Sequence, residues 1–521
     1  MELLTAAEMR ALEAEAMARG DATGLELMER AGFGAARAAL TWRPDLQKGD
    51  RRLIALCGPG NNGGDGYVVA RLLAERGWTV DLFAYGEPGR QGPDAAEARR
   101  RWEAFGRTRP WDQAGPRLEE AARGGRGAAD LIVDALFGSG LTRPLPPEVA
   151  GPIQGLTSGA GPAPVLAIDM PSGLCADSGR PLGAAVRADL CVTFHAPKMG
   201  HHLLPGPDHV GELRRAEIGL GPLRPRAAQG PRARLMREAP AGIDKGAGAG
   251  WAHKYDHGHA LVLAGGPGRG GAGRLAARAA LRVGAGLVTL GPSPAALQEN
   301  AARLDAVMLR PIADWEALGE ALQDRRINAV ALGMGLGPGE GTRSLTLAAL
   351  AARRATVLDA DALTSFEEDP DALFAALHER CVLTPHAGEF ARLFPDVAER
   401  WAAHAVAGPA FSKVDAAMEA ATRAGCAVLL KGPDTVVAHP MRGTDVLSPR
   451  QLGRAPWLAT AGAGDVLAGM IAGLAARGLA TFDAASAAVW LHVRAAKAFG
   501  PGLIAEDLPD MLPELFDELG F

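Results

Sequence analysis

The sequence predicts a multidomain protein of the α/β class, and three observations point to it. The chain has 521 residues, more than one hydrophobic core usually holds. Short apolar segments alternate with segments of helical periodicity in both halves, which is typical of mostly parallel sheets covered by helices. Residues 221–250 are rich in glycine, proline, alanine and arginine without a sustained period, which predicts an inter-domain linker.

The first half is expected to begin with a helical segment over residues 5–40, in which Thr5 and Glu8 fit a capping box. Helices are further predicted at 66–76 and 93–105. Apolar runs bounded by turn residues predict strands at 52–57, 79–85, 130–136, 164–169 and 189–194.

The second half also alternates predicted strands and helices, but its sequence does not repeat that of the first half. Its strands are predicted at 259–265, 286–290, 328–333, 355–359, 381–384 and 427–431, with 434–438 closing a hairpin. Its helices are predicted at 272–283, 342–353, 413–424, 464–476 and 483–499.

Composition narrows the class of protein. Hydrophobic residues make up 48% and charged residues 22% of the chain, and the net charge of −5 leaves no basic footprint for nucleic acid. No apolar run is long enough to span a bilayer. The five cysteines are scattered without a CxxC pair, which favours a reducing compartment. We therefore expect a cytoplasmic protein with neither a nucleic-acid nor a membrane partner.

The segment Gly60–Gly66 has the sequence Gly-Asn-Asn-Gly-Gly-Asp-Gly and follows the first predicted strand. Glycines let main-chain N–H groups approach a ligand closely. Helical periodicity from Tyr67 onward predicts that this loop opens a helix, whose N-terminus favours anions. Asn61, Asn62 and Asp65 add carbonyl and carboxylate oxygens, the ligands of hard cations. The segment therefore predicts a nucleotide site that contains a cation.

Two further predicted strands end in polar groups. Asp134 lies at the end of one, and Asp169 and Ser172 follow another. Helix capping or turn formation explains any one of these residues taken alone. The carboxyl ends of parallel strands meet in one crevice, so their coincidence with the glycine loop favours a ligand site.

Four segments in this order, Gly60–Gly66, Asp134–Leu141, Ile168–Leu174 and Thr193–Gly200, resemble the NAD(P)H-hydrate epimerase domain of the YjeF N-terminal family. The resemblance covers residues 1–220 and implies a Rossmann-like three-layer fold. It implies a site for hydrated NADH or NADPH lined by Asn61, Asn62, Gly63, Gly64, Asp65, Gly138, Ser139, Gly140, Leu141, Thr142, Arg143, Pro144 and Asp169.

The same resemblance implies a potassium ion held by Asn62, Asp134 and Ser172. Epimerising a carbon that bears a hydroxyl beside a ring nitrogen needs a proton shuttle. Asp169 is the catalytic candidate for this shuttle.

In the second half, Thr460–Val466 precedes an apolar helix, so its main-chain N–H groups predict an anion hole beside Asp465, which is placed to deprotonate a hydroxyl. Lys431–Thr435 brings a lysine and a hydroxyl to a strand end, a pattern that favours phosphate. Thr384–Glu389 adds an imidazole and a carboxylate, and Gly333–Gly337 adds a backbone nest.

These segments resemble the ribokinase-like superfamily and, within it, the ADP/ATP-dependent NAD(P)H-hydrate dehydratase domain, over residues 235–521. The resemblance implies that the hydrate contacts Ala272, Gly335, His386, Ala387, Gly388, Glu389, Phe390, Ala391, Arg392 and Asp465. It implies that ADP contacts Lys431, Gly432, Pro433, Asp434, Thr435, Ala455, Pro456, Trp457, Leu458, Ala459, Thr460, Ala461, Gly462, Ala463 and Gly464.

Together the two resemblances predict a bifunctional metabolite-repair enzyme. One domain interconverts the R and S forms of hydrated NADH and NADPH, and the other dehydrates the S form with ADP. Such transfers need Mg²⁺, which the nucleotide would mainly hold. The resemblance also implies a homo-oligomer. A vitamin or sugar-alcohol kinase and a non-enzymatic nucleotide-binding protein are the alternatives, and the choice between ADP and ATP stays open.

Two histidine clusters are not interpreted as functional sites. His253, His257 and His259 superficially suggest a metal site, but His259 begins a predicted strand and should alternate away from its neighbours. His201 and His202 are expected in an exposed turn.

Overall fold

The computed structural model describes residues 1–125, 128–159, 161–221, 233–246, 252–448 and 455–521. The chain forms two compact units. The N-terminal unit comprises Glu2–Gly230 and His404–Ser412, and the C-terminal unit comprises Pro231–Ala403 and Lys413–Phe521 together with Met1. The boundary falls within the linker predicted at 221–250, of which residues 222–232 and 247–250 lie outside the described residues.

The N-terminal unit is built on a parallel sheet in the order β4-β3-β2-β5-β6-β7-β8. The five predicted strands are confirmed to within a residue at each end, whereas β4 and β8 were missed. The strands of this unit are β1 (Glu2–Leu3), β2 (Arg52–Cys57), β3 (Thr79–Ala84), β4 (Thr108–Pro110), β5 (Leu131–Ala135), β6 (Val165–Ile168), β7 (Leu190–Phe194) and β8 (Glu212–Ala216).

Helices cover both faces of this sheet, because alternate residues of a buried strand point to opposite sides. Leu53 and Ala55 of β2 belong to one apolar cluster, and Ile54 and Leu56 belong to another. Thr5 closes the expected capping box with Glu8 at the start of α1. The helices are α1 (Ala6–Arg19), α2 (Gly24–Trp42), α3 (Asn61–Ala74), α4 (Pro93–Trp102), α5 (Ala114–Ala122), α6 (Pro147–Ala150), α7 (Gln154–Thr157) and α8 (Gly206–Val210).

The start of α3 differs from the prediction of a helix over 66–76. The helix already begins at Asn61, so Asn61–Gly66 forms its first turns and only Gly58–Gly60 connects it to β2. Glycine in a helix interior carries an entropic cost, which is why the segment resembled a loop.

The C-terminal unit has a larger sheet, in which the strands run in the order β9-β18-β17-β16-β15-β14-β13-β10-β11-β12. Strands β10 to β16 are parallel, and β17 is antiparallel to β16 and β18, which confirms the predicted hairpin. β9 lies inside the predicted linker and pairs with β18. The strands are β9 (Ala233–Leu235), β10 (His259–Leu263), β11 (Leu287–Gly291), β12 (Met308–Leu309), β13 (Ile327–Leu332), β14 (Ala355–Leu358), β15 (Cys381–Leu383), β16 (Ala427–Leu430), β17 (Thr435–His439) and β18 (Gly443–Leu447).

The five helices predicted in this half are confirmed, and several shorter ones were missed. The helices are α9 (Gly271–Arg282), α10 (Leu297–Ala301), α11 (Trp315–Ala321), α12 (Glu340–Ala351), α13 (Asp361–Thr364), α14 (Pro370–Ala376), α15 (Ala387–Leu393), α16 (Pro395–Ala402), α17 (Lys413–Ala424), α18 (Ala463–Ala476), α19 (Thr481–Phe499), α20 (Asp507–Asp510) and α21 (Leu512–Glu518). No described helix is both long enough and apolar enough to cross a membrane.

Helix α18, which carries the predicted anion hole, is held against α9 by small residues. A Cβ added to Gly469 would lie 2.1 Å from the carbonyl oxygen of Ala276, and one added to Gly473 would lie 2.5 Å from that of Ala280. These glycines let the two backbones approach closely and so fix the position of the start of α18.

The Gly469→Ala variant should therefore destabilise the protein by about 1–3 kcal/mol, because its methyl group overlaps the α9 backbone. Gly341→Ala is the matched control, since nothing lies within 4 Å of a Cβ added there in α12. Urea denaturation of both variants measures the difference in the free energy of unfolding. Equal midpoints for the two variants would contradict the close approach of α9 and α18.

Candidate active sites

The N-terminal unit has a cavity of about 480 Å³ at the carboxyl ends of β2, β5 and β6. β2 lies between β3 and β5, so the strand order reverses here, and such switch points are where α/β sheets bind ligands. Among the predicted residues, the cavity wall includes Asn61, Asn62, Asp65, Gly138, Ser139, Gly140, Leu141, Thr142, Arg143 and Asp169.

Gly63, Gly64 and Pro144, also predicted at this site, do not line the cavity. A Cβ on Gly63 would lie 2.0 Å from the carbonyl oxygen of Gly58, and one on Gly64 would lie 2.5 Å from the sulfur of Met28. The two glycines therefore serve the close packing of α3, and the neighbouring polar side chains face the cavity.

Asp169 lies just after β6 with a positive φ of 64° and is paired with Lys198. The buried Lys198 ammonium donates to Asp169 Oδ1 at 2.6 Å, and the Ser139 N–H donates to Oδ2 at 3.1 Å. Burial alone would raise the pKa of Asp169, but Lys198 and Ser139 hold it well below the usual range of a carboxyl group. The Asp169 carboxyl group is therefore ionised.

His201 and His202 are both buried, so the prediction of an exposed turn was wrong. His201 Nε2 lies 2.8 Å from the carbonyl oxygen of Asp169, and its Nδ1 accepts from the Lys198 N–H at 2.9 Å. Burial lowers the pKa of His201 to about 4. The neutral ring thus fixes the backbone on both sides of the Asp169–Lys198 pair.

The three residues predicted to hold potassium lie beside this cavity. Asp134 is fully buried, and it accepts from the Ser172 hydroxyl at 2.5 Å and the Ser172 N–H at 2.8 Å. In the orientation that satisfies both ends of its amide, Asn62 accepts from the Gly138 N–H at 3.3 Å. Burial raises the pKa of Asp134 to about 6, and among the described residues no lysine, arginine or histidine pairs with it. A buried carboxylate beside hydroxyl and amide oxygens fits a monovalent cation.

In the C-terminal unit, Lys431 follows β16 and donates to Asp359 Oδ1 at 2.7 Å. Asp359 follows β14 and also accepts from the Thr384 hydroxyl at 2.6 Å. The next residue, Ala360, has a strained φ of 47°, and Asp361 accepts from the Gly337 N–H at 2.8 Å. The predicted site left out both aspartates, although Asp359 ends the strand predicted at 355–359 and Asp361 follows it.

Asp465 lies in the first turn of α18, close enough to this pair to interact electrostatically. Gly462, which precedes the helix, has a φ of 90°, and no side chain caps the helix N-terminus. The first N–H groups are therefore available to an anion. Burial, helped by the charge of Asp359 and opposed by Lys431, raises the pKa of Asp465 to about 6.

The structure brings together only some of the residues predicted to contact the hydrate. A Cβ added to Gly335 would lie 3.6 Å from Cβ of Ala272, so these two positions adjoin. Five predicted positions on α15 or immediately before it are exposed: His386, Ala387, Gly388, Ala391 and Arg392. Glu389 accepts from the His386 N–H at 2.9 Å and is buried. Phe390 is fully buried, and its ring packs against those of Phe394 and Trp401.

The predicted nucleotide loop has a buried ion pair behind it. Lys413 at the start of α17 donates to Asp434 Oδ1 at 2.9 Å, and a Cβ added to Gly432 would lie 2.5 Å from its ammonium. The Asp434 carboxylate therefore faces the protein interior. Residues 455–462 are half-buried or exposed, as a contact with nucleotide requires.

A second cavity, of about 330 Å³, lies at the carboxyl ends of β10, β11 and β13, where the order of the larger sheet reverses. Leu336 lines it, next to the predicted Gly335, but Ala272, His386 and Asp465 do not.

Comparison with known proteins identifies both halves. Residues 24–200 match the model of the YjeF-related protein N-terminus, and residues 260–514 match that of NAD(P)H-hydrate dehydratase. The chain is 36% identical over 550 residues to the bifunctional NAD(P)H-hydrate repair enzyme Nnr of Salinibacter ruber, covering 99% of this chain and 96% of that one. This chain belongs to the bifunctional NAD(P)H-hydrate repair enzymes.

Further relatives agree with this family. The Escherichia coli Nnr is 34% identical, covering 95% of this chain and 90% of its own. An NAD(P)H-hydrate epimerase of Rhodobacter capsulatus is 47% identical over 205 residues, covering 38% of this chain and 91% of its own. The ADP/ATP-dependent NAD(P)H-hydrate dehydratase of Bacillus subtilis, co-crystallised with ATP and Mg²⁺, is 27% identical, with a TM-score of 0.42 over 52% of this chain and 92% of its own.

The family prediction is thus confirmed, and the two mostly parallel sheets confirm the α/β class of both domains. In the epimerase domain, sequence reasoning missed the cavity residues Met9, Arg10, Glu13, Phe194 and Lys198. Lysine at a strand end in an arginine-rich chain is a signal that could have found Lys198. No sequence pattern indicates that Met9, Arg10 and Glu13 of α1 line a site.

The Lys413–Asp434 pair behind the nucleotide loop of the dehydratase domain should be required for stability. Lys413→Met leaves Asp434 buried without its ammonium partner, and we expect a loss of about 3–5 kcal/mol in the free energy of unfolding. The double variant Lys413→Met, Asp434→Leu should regain most of the lost free energy of unfolding, because it buries no unpaired charge. Arg278→Met, which breaks a half-exposed pair with Asp510, is the control and should cost no more than about 1 kcal/mol. Denaturant titrations that gave the two single variants equal stability would contradict the importance of the buried pair.

Proposed function

We propose that the epimerase domain interconverts the R and S forms of hydrated NADH and NADPH, and that the dehydratase domain returns the S form to NAD(P)H at the expense of ADP. The observation that carries this proposal is the fusion, on one chain, of the two matched domains, each with a perturbed aspartate at the carboxyl edge of its sheet. The products of the second step are NAD(P)H, AMP and phosphate.

In the epimerase site, Asp169 accepts a proton while Lys198 keeps it ionised between turnovers. The start of α3, which no side chain caps, would bind the pyrophosphate of the hydrated cofactor through its first main-chain N–H groups, and the loop at Gly138–Arg143 lines the same cavity. Asn61 and Asp65 contribute polar side chains to the same wall.

A potassium ion at this site would be held by Asn62, Asp134 and Ser172. The charge of the buried Asp134, which no described cationic side chain offsets, supports this assignment. The bound ion would supply positive charge next to the cofactor phosphates and would keep Asp134 ionised.

In the dehydratase site, Asp465 removes the proton of the hydrate hydroxyl, which then attacks the terminal phosphoryl group of ADP. The N–H groups of Ala461–Gly464 stabilise the charge of the transferred group, with Lys431 close by. AMP leaves in that transfer, and loss of the phosphate from the ring carbon together with a proton from the neighbouring ring carbon then restores the double bond. Among the described residues no group of three acidic, cysteine or histidine side chains is placed to hold a metal, which supports a Mg²⁺ carried by the nucleotide.

The compartment and assembly stay proposals. All five cysteines are buried and none forms a disulfide, which agrees with a cytoplasmic location. A homo-oligomer, and the absence of nucleic-acid and membrane partners, remain predictions from resemblance and composition.

The decisive experiment follows the absorbance of reduced nicotinamide in a mixture of R and S hydrates with ADP, Mg²⁺ and K⁺. We expect full recovery with the wild-type protein, recovery of the S fraction alone with Asp169→Ala, and none with Asp465→Asn. Replacing K⁺ with Na⁺ should slow use of the R form while leaving dehydration of the S form unchanged. A stable phosphorylated product without recovery would instead assign the second domain to a kinase.

The dehydratase activity should also depend on the ionisation of Asp465. Because the raised pKa of Asp465 is about 6 and its ionised form accepts the proton, kcat/KM for the S hydrate should fall as pH drops through about 6. Asp359→Asn removes a neighbouring negative charge and should move this limb to lower pH. If the fall in kcat/KM occurs at the same pH in Asp359→Asn as in the wild type, a group other than Asp465 controls the acid side of the pH profile.

A further inference from the structure

A second carboxyl group, Glu13, lines the epimerase cavity from a helix that carries none of the predicted site residues. Glu13 lies on α1, and Met9 and Arg10, four and three residues earlier, line the cavity with it. Residues at this spacing share one face of a helix, so α1 forms one wall of the site. Asp169 comes from the end of β6, so the two carboxyl groups enter the same cavity from different elements.

The pKa values of the two groups are shifted in opposite directions. Burial, followed by the negative charge of Asp169, raises the pKa of Glu13 above its usual value, and Lys198 and Arg10 only partly oppose this. Lys198 holds the pKa of Asp169 low. The other charged groups that line the cavity are Asp65 and Arg143. Two titratable groups driven apart in this way provide an acid and a base in one site.

Epimerisation at the hydrated carbon needs both an acid and a base. This assignment of roles rests on the proposed function. The ring nitrogen beside the carbon can expel the hydroxyl: the C–O bond breaks, the hydroxyl takes a proton and leaves as water, and the nitrogen lone pair forms an iminium. Water then adds to the opposite face, forming a new C–O bond and losing one proton. One proton is donated and one is accepted, so the reaction is balanced.

We propose that Glu13 is a second catalytic residue of the epimerase, donating the proton to the leaving hydroxyl on one face of the ring while Asp169 accepts the proton of the incoming water on the other. After one turnover Glu13 is ionised and Asp169 is protonated, and the reverse reaction uses these states. Exchange with solvent restores the starting forms for the next turnover in the same direction.

Asp65 is the competing candidate, because burial also raises its pKa well above the usual value. It lines the same cavity from the second turn of α3 but is only 9% exposed. Glu13 is less buried and has a longer side chain, so it can both reach a bound ring and regain a proton from solvent.

The test starts from the R hydrate without ADP, so that the dehydratase domain is silent, and follows formation of the S hydrate by chromatography. Glu13→Gln should lower kcat for epimerisation about 10²–10⁴-fold with little change in KM. Glu15→Gln, on the same helix but paired with Arg19 at the surface, should match the wild type. Dehydration of the S hydrate after ADP is added should be unchanged in both variants, which verifies folding.

The pH profile supplies a second readout. Protonated Glu13 is the active form, so the wild-type kcat should fall as pH rises through its raised pKa, and this limb should be lost in Glu13→Gln and kept in Glu13→Asp. In H₂¹⁸O the S product should carry ¹⁸O. Wild-type rates in Glu13→Gln, or loss of the limb in Asp65→Asn but not in Glu13→Gln, would overturn the inference while leaving the proposed function intact. Absence of epimerisation by the wild-type protein would overturn both.

Discussion

Both sites depend on the same constraint, the cost of placing carboxylates in the dry interior at the ends of parallel strands. Each domain offsets it with lysine. Lys198 pairs with Asp169 at 2.6 Å and Lys431 with Asp359 at 2.7 Å, and Lys413 supports the nucleotide loop through Asp434 at 2.9 Å. Three of the seven lysines of an arginine-rich chain thus occupy buried pairs at or behind the sites. Where a described carboxylate lacks such a partner, as Asp134 does, its pKa rises and a bound cation becomes the natural substitute.

The two domains use these charges differently. In the epimerase cavity the lysine contacts Asp169 itself and lowers its pKa, whereas burial and the charge of Asp169 raise the pKa of Glu13. In the dehydratase site the lysine contacts Asp359, and Asp465 keeps a pKa of about 6. A base of this strength is ionised at neutral pH yet accepts a hydroxyl proton readily. The lysine therefore lowers the pKa of Asp169 in one domain, whereas in the other domain the pKa of Asp465 stays raised.

The sequence was sufficient to locate the buried strands, because a short, continuous apolar run between turn residues is typical of a strand covered on both faces. It was not sufficient for β8 (Glu212–Ala216), whose polar residues resemble a loop, since β8 is an edge strand exposed on one side. The motif residues at strand ends were found because their spacing is local. Glu13 was missed because only the tertiary fold brings α1 to the cavity, and His201 was misplaced because its hydrogen bonds to Lys198 and Asp169 come from folding.

Lysine, not arginine, suits the epimerase pair for a geometric reason. The Lys198 ammonium has three N–H donors and is surrounded by three acceptors, Asp169 Oδ1 at 2.6 Å, the Thr193 hydroxyl at 2.9 Å and the Phe194 carbonyl at 3.5 Å. A guanidinium has five donors in a planar fork, so in this buried position two would lack partners. An unsatisfied buried donor is costly, and a displaced fork would also move Asp169 away from the cavity. The compact ammonium therefore fixes both the charge and the position of the carboxylate.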